Sequence, residues 1–283
     1  MLYFFGIIYL MIIKKRGDQM LKYCSIGSGS SGNCHYVGYK DTSILVDAGL
    51  SGKRITTGLN DIEVDIDKIK GIFITHEHSD HIKGAGILSR KLDVPIFANI
   101  KTWCAMKDKL GDIKDHNMKV FENDKSYSIG DIVIRPFSIS HDASDAVGYN
   151  FYADNEKMSI ATDIGNITDN IKRHLYKSKL VVLESNYDPN MLMMGSYPYA
   201  LKRRVMSDEG HLSNEDAANF CVELIKEGTE RILLAHLSKE NNFPELAYET
   251  SKGILSQNDI IVGQDVKLDV LSRDEISDIY NIR

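Results

Sequence analysis

Positive charge is the first thing this sequence is short of. Lysine and arginine number 34 against 40 aspartates and glutamates, a formal net charge of −6 over 283 residues. No global field draws such a chain to a polyanion, so a contact with nucleic acid has to come from a local basic patch or from bound cations. Cysteine is scarce too. Cys24, Cys34, Cys104 and Cys221 are scattered with no C-x-x-C pair. That speaks for reduced, buried thiols in a cytoplasmic protein and against a disulfide framework. The five prolines form no linker-like run, and no repeat or low-complexity tract interrupts residues 20–283. The length allows one large domain or two small ones, and a single domain over 20–283 is expected. At 43% hydrophobic and 26% charged, the composition is that of an ordinary globular protein.

Membrane-length apolar runs are missing as well. Leu2 to Ile13 is apolar or aromatic apart from Gly6 and is followed by Lys14-Lys15-Arg16. It falls short of the roughly 20 residues a spanning helix needs. It also lacks the basic start and small-residue cleavage site of a signal peptide. No stable membrane insertion is expected. Met20 directly precedes Leu-Lys-Tyr-Cys-Ser-Ile-Gly, a natural first strand. Residues 1–19 are therefore expected to lie upstream of the true start and outside the fold, with a weak interfacial anchor as the alternative. An intact Met1 in the native protein would overturn this.

What the chain does have is a cluster of histidines at one point. Residues 71–81 read Gly-Ile-Phe-Ile-Thr-His-Glu-His-Ser-Asp-His. A β-leaning run ends, and His76, His78, Asp80 and His81 follow at once, as metal ligands do. His76 and His78 are two apart, so they share a side only in an extended or turning segment. Asp80 and His81 stand where the next helix begins. The fifth position from His76 is Asp80, so this is not the single-zinc H-E-x-x-H helix.

Strand candidates fill the first half: Leu21–Ile26, Cys34–Tyr39, Ser43–Val46, Ile72–Thr75 and Val94–Ala98. More follow at Lys119–Phe121, Ser126–Ile129, Ile132–Ile139, Val147–Ala153 and Met158–Thr162. Helices are expected over Ser51–Leu59, Ile82–Leu92 and Ile100–Leu110. The second part alternates: helix Thr168–Leu175, strand Leu180–Glu184, a helix from Ser213, strand Arg231–Ala235, helix Pro244–Ser256, strand Asp265–Leu271. Ser213 with Asp216 resembles an N-capping pair. Two mixed sheets packed face to face with helices outside is the simplest way to bury so many strands.

Gly27-Ser-Gly-Ser-Ser-Gly32 matches G-x-G-x-x-G, but strands follow it where a dinucleotide site needs a helix. No nucleotide cofactor is expected. The glycines read instead as a tight loop close to a ligand, with Asn33 as a substrate contact.

His141, Asp163 and His236 each stand where an apolar strand stops. Taken singly, such a residue is more often a turn or a satisfied polar group. Together with the cluster they fit a dinuclear site: His76, His78 and His141 on one ion, Asp80, His81 and His236 on the other, Asp163 bridging. Asp80 would also take part in catalysis. Asp47 ends another strand and could orient a ligand histidine, or simply cap a turn. His211 precedes a helix and is a candidate general acid or phosphate contact, with Glu184 to orient it; the alternative is a plain helix-start residue. Lys202, Arg203 and Arg204, in a loop with Tyr197 and Tyr199, suit phosphate and base contacts. A solvated helix face is the alternative. His35, His116 and His174 have no comparable setting.

These residues resemble the metallo-β-lactamase superfamily of hydrolases. The likeness covers essentially all of 20–283, through His76-x-His78-x-Asp80-His81 and then His141, Asp163 and His236 in the family's order. It implies an α+β, four-layer αβ/βα sandwich with a two-metal site at the edge of the sheets. The stretch Gly27 to Asn33, Gly-His211-Leu-Ser-Asn and Ala-His236-Leu-Ser-x-x-Asn-Asn look like the YycJ (WalJ)-type branch, which is associated with 5′-to-3′ DNA exonuclease activity. The placement of His211 also resembles ribonuclease Z. The β-CASP insertion is absent, and no ribonuclease Z arm is evident.

The expectation is a metal-dependent phosphodiesterase on nucleic acid, DNA before RNA, in which a metal-bridging hydroxide attacks phosphorus. Two divalent ions would serve, zinc or manganese first and iron third, since the ligands are all nitrogen and oxygen. One alternative is a hydrolase of a small ester, thioester or lactone. Another is a catalytically weak metal-binding regulatory or repair-scaffold protein.

Overall fold

Strand β4 (Ile69–Phe73) shows how the layers are decided. Successive side chains of a strand point to opposite faces. Phe73 enters a core between two sheets, with Val46, Tyr149 and Val182, while Ile72 and Ile74 enter a second core beneath helices. Strand β11 (Leu180–Glu184) repeats the pattern, with Leu180 and Val182 between the sheets and Val181 and Leu183 under helices. A strand apolar on both faces has to be covered on both. The computed structural model, which describes residues 20–283, is accordingly a four-layer αβ/βα sandwich.

The first sheet contains β1 (Leu21–Gly27), β2 (Cys34–Tyr39), β3 (Thr42–Val46), β4, β5 (Ile96–Asn99), β6 (Met118–Phe121) and β14 (Tyr280–Ile282). Its order is β14-β1-β2-β3-β4-β5-β6, and β3 to β6 run parallel. The second contains β7 (Tyr127–Ile129), β8 (Ile132–Ser138), β9 (Val147–Ala153), β10 (Glu156–Ala161), β11, β12 (Arg231–Ala235) and β13 (Lys267–Val270). Its order is β13-β12-β11-β10-β9-β8-β7, with β10 to β13 parallel. Helices α1 (Gly52–Asp61), α3 (Ala85–Leu92) and α4 (Ile100–Leu110) cover the first sheet through Ile55, Leu59, Leu88, Trp103 and Met106. Helices α5 (Asp169–Leu175), α8 (Asn214–Lys226) and α9 (Pro244–Gln257) cover the second through Ile171, Phe220, Ala247 and Leu255.

Several expectations change. The helix expected over Ile82–Leu92 is broken into α2 (Ser79–Ile82) and α3. Gly84 stands at the break, where its N–H donates to Ala48 O at 2.7 Å. A Cβ there would lie 2.3 Å from Leu50 O, so only glycine lets the two turns meet. The stretch expected as a loop before His211 instead carries α6 (Pro189–Met194) and α7 (Tyr199–Val205). Asp188 caps the first and Pro189 opens it, a helix-start pattern too short to show a period. Strand β14, three residues pairing Tyr280 with Tyr23, was not expected at all. Three of the cysteines are buried, but Cys104 is exposed, contrary to expectation. The expectation for residues 1–19 lies outside the described residues. No described helix is long and apolar enough to cross a membrane.

Candidate metal centre

Six strands, two of the first sheet and four of the second, end at one edge and deliver polar side chains to the same place. Asp47 follows β3; His76, His78, Asp80 and His81 follow β4; His141 follows β8 and Asp163 follows β10; Glu184 closes β11 and His236 follows β12. Asp47, Asp163 and His236 turn the chain at these ends with φ of 58°, 59° and 56°. That left-handed region is one that aspartate and histidine enter more readily than most side chains, at a cost the surrounding structure has to hold. Gly49 lets the turn after Asp47 press against the histidine motif: a Cβ there would lie 1.6 Å from Asp80 O.

The side chains converge. One nitrogen each from His76, His78 and His141 lie within 4.8 Å of one another, and so do ligand atoms of Asp80, His81 and His236. Asp163 stands between the groups, 3.4 Å from His81 Nε2, 3.8 Å from His141 Nε2 and 3.5 Å from His236 Nδ1. The outer nitrogens are already engaged. His81 Nδ1 donates to Asp47 Oδ2 at 2.7 Å, His141 Nδ1 to Gly210 O at 3.0 Å, and His236 Nδ1 to Glu184 Oε1 at 2.9 Å. His76 Nδ1 lies 3.0 Å from Thr75 Oγ1, and Thr75 in turn donates to both Asp47 oxygens. These bonds fix the tautomers and leave the Nε2 lone pairs facing the centre.

The residues fit divalent metal binding on their own chemistry. His141 Nε2, His236 Nε2 and Asp163 Oδ2 are buried with no hydrogen-bond partner. An orphaned buried polar atom costs about 1–3 kcal/mol, and a cation at the centre relieves all three. Charge points the same way. Burial would lower the His236 pKa, but Asp163, Asp80 and Glu184 outweigh it and push the ring up to about 10. Burial likewise opposes, and Asp47, Asp163 and Asp80 overcome, a raised His81. The field around these two rings favours positive charge. His76 is different: burial, then His81 and His141, hold it well below its ordinary value, so it stays a neutral donor.

His211 sits at the rim of this cluster, with ring centroids 5.1 Å from His141 and 5.5 Å from His236. Glu184 Oε1 accepts from His211 Nδ1 at 2.8 Å. Burial alone would lower the His211 pKa, but the Glu184 carboxylate, by charge and hydrogen bond, carries it above its ordinary value. Glu184 is fully buried, and its Oε2 accepts from Ile164 N and Leu212 N at 2.7 and 3.1 Å. Expected beside His211 to orient it, Glu184 stands within hydrogen-bond reach of both His211 and His236.

The expected substrate contacts fare unevenly. Lys202, Arg203 and Arg204 lie on helix α7 rather than in a loop. Lys202 Nζ donates to Met193 O at 2.7 Å, and Arg204 is paired with Asp142. Arg203 is exposed. Asn33 is fully buried: Gly29 N donates to its Oδ1 at 2.9 Å, and its Nδ2 lies 3.1 Å from His81 Nε2. It fastens the glycine loop to the histidine motif and is not offered to a substrate. Sequence reasoning passed over Thr75, Asn186 and Glu77. Asn186 Nδ2 donates to His236 O at 2.7 Å, and Glu77 accepts from Ser144 N at 2.8 Å, tying the motif to the loop of His141. Glu77 lies inside the motif, which was signal enough; Thr75 and Asn186 carry no spacing of their own. Of the other histidines, His35 is buried, while His116 pairs at the surface with Asp93.

Comparison with known proteins adds kinship to this geometry. Residues 42–237 match the β-lactamase superfamily domain. The chain is 43% identical over 244 residues to exodeoxyribonuclease YycJ of Bacillus anthracis, covering 86% of this chain and 92% of that protein. It is 41% identical over 263 residues to exodeoxyribonuclease WalJ of Streptococcus pneumoniae, covering 92% and 98%. Among solved structures, the metallo-β-lactamase fold protein YhfI of Bacillus subtilis superposes with a TM-score of 0.68 at 15% identity, over 92% of this chain and 99% of that one. That last likeness shows the fold.

Proposed function

The chain belongs to the metallo-β-lactamase superfamily, in the branch of the YycJ and WalJ proteins, and on that premise we propose that it is a metal-dependent exonuclease that degrades DNA from the 5′ end. The observation that carries this reading is likeness along most of the chain to two exodeoxyribonucleases. The cluster of histidines and carboxylates with unpartnered inner atoms supports it. Residues 20–283 act in this reading as one catalytic domain, since both sheets supply ligands. The unpaired cysteines support a cytoplasmic setting.

His76, His78 and His141 would hold one divalent ion, Asp80, His81 and His236 a second, and Asp163 would reach both. Zinc or manganese suits these nitrogen and oxygen donors, and iron comes third. When bound, such a pair supplies a water acidified towards hydroxide and positive charge against the phosphate.

The chain's own residues do the rest. Asp47, Thr75 and Glu184 hold the rings of His81, His76 and His236 by Nδ1, so that Nε2 of each turns to the centre. His211 has its Nδ1 engaged by Glu184, so Nε2 is the nitrogen left for substrate, and its raised pKa keeps a proton there to give to the leaving oxygen. Arg203, exposed on α7, supplies a phosphate contact in a chain that is otherwise net negative.

The test is an incubation with Mn²⁺ or Zn²⁺ and end-labelled duplex DNA, single strands, RNA, a generic bis-phosphodiester and a thioester. Stepwise nucleotide release from DNA 5′ ends supports the proposal. Thioester turnover alone would replace it with a small-molecule hydrolase. Stoichiometric metal with no turnover would make the protein a metal-binding scaffold.

A further inference from the structure

Beside His211 the surface folds inward into a pocket of about 170 Å³ that none of the proposed metal ligands lines. Helix α7 forms one wall with Leu201 and Arg204, Tyr197 stands before it, and Ser238 and Asn241 come from the segment after His236. Asp142, next to His141, closes the side nearest the metal cluster. We infer that this pocket receives the nucleobase of the terminal nucleotide while its phosphodiester lies over the cluster. The inference rests on the nuclease reading above and adds to it a recognition site.

Size limits the occupant first. Pockets for drug-sized ligands run to about 300–1,000 Å³, so this one has room for a single ring system and not for two stacked nucleotides. Charge then separates a base from a phosphate. Arg204 is the only cation among the lining residues apart from His211, and it is already paired with Asp142. A dianionic phosphate would meet the Asp142 carboxylate, and the one arginine of the lining already shares its charge with that carboxylate. A neutral base meets no such opposition.

The walls supply what a base needs. Tyr197 is half-buried and, with Leu201, offers an apolar and aromatic surface for stacking. Asn241 is 1% exposed, and its Oδ1 has no hydrogen-bond partner. Its amide nitrogen is turned to Ser238 Oγ at 3.4 Å, and the oxygen lies beneath the pocket wall rather than on it. Ser30, Asn186 and Ser238 bring further polar groups to the lining, which suit the donors and acceptors of a base edge. Stacking, which every base allows, gives recognition without sequence preference. A pocket one base deep beside the cluster also makes the single nucleotide the unit of release.

A substrate-side experiment tests this without altering the protein. Mn²⁺-loaded protein is given oligonucleotides whose terminal nucleotide is either natural or a tetrahydrofuran abasic analogue with the same phosphates. A third oligonucleotide has the analogue several positions inside. Stacking on an aromatic is worth about 1–3 kcal/mol per base, so first-bond kcat/KM should fall roughly tenfold or more for the terminal analogue. The internal analogue should leave the first bond as it was. In Tyr197→Ala the preference for the natural end should shrink towards unity, with a thermal melt reporting that the variant folds. Equal first-bond rates on natural and abasic ends would overturn the pocket assignment alone. No cleavage of any DNA, with hydrolysis of bis(4-nitrophenyl) phosphate intact, would overturn the nuclease reading and this inference with it.

Discussion

Glu184 Oε1 lies 2.8 Å from His211 Nδ1, and the same oxygen lies 2.9 Å from His236 Nδ1. One carboxylate atom therefore orients both a proposed metal ligand and the proposed acid. Glu184→Gln keeps the shape but removes the charge that raises His211. Orienting partners of this kind typically cost 10–100-fold in metal affinity or activity when changed, and a loss of about that size is expected at saturating metal. The pH profile carries the sharper sign. Activity that needs protonated His211 falls as pH rises through its raised pKa. Without the carboxylate that pKa drops, so the alkaline limb of kcat should move to lower pH. A limb that stays in place in Glu184→Gln would show that His211 is not the acid.

His76→Ala removes a neutral donor from the group it forms with His78 and His141. Metal content should fall by one equivalent and DNA hydrolysis should become undetectable, while circular dichroism stays native. Asp80→Ala should act in the same way on the other group. Chelation should abolish activity and added Mn²⁺ or Zn²⁺ restore it. Retained hydrolysis in metal-free protein would sink the mechanism.

The seven converging side chains were readable because each follows a β-leaning run that stops, and strands that alternate inside a sandwich bring their ends to one edge. The pair of packed sheets followed from the number of strands that had to be buried, whereas the order of strands within each sheet did not. What stayed hidden depends on partners far along the chain. Arg204 reads as an uncommitted cation until the fold sets it against Asp142, 62 residues away. Asn33 reads as a loop residue exposed to ligand until Gly29 and His81 close on it. Helices α6 and α7 are six and seven residues long, too short for a 3.6-residue period to stand out from a Tyr- and Met-rich stretch.

Arg203 and Arg204 are neighbours with different surroundings, and substitution should separate them. Arg203 is exposed on α7, whereas Arg204 is tied to Asp142. Arg203→Glu should weaken binding to all DNA sequences alike and reduce the slope of log affinity against log salt by about one. Fluorescence anisotropy across a salt series reads both quantities. An unchanged slope would mean that Arg203 touches no phosphate.

His35 supplies a prediction about acid stability that is separate from the chemistry. The ring is 1% exposed, and its Nδ1 is hydrogen-bonded with the Tyr23 hydroxyl at 2.8 Å. Burial first, then the positive neighbours His81 and His236, push its pKa down to about 3. The folded value is thus below that of the unfolded chain, near 6.5. Above pH 6.5 both states hold His35 neutral, and it adds no pH dependence. As pH falls below 6.5 the unfolded chain takes up a proton that the folded chain refuses, so stability drops towards pH 3. Between pH 6.5 and 5 this one group accounts for about 2 kcal/mol. His35→Asn keeps an acceptor near the Tyr23 hydroxyl and removes the titration. The variant should be less stable at pH 7.5, through the lost ring volume, yet lose less on acidification. Urea unfolding of both proteins in EDTA at pH 7.5, 6 and 5 gives the comparison, and curves that run parallel across that range would mean that His35 is protonated in the folded protein after all.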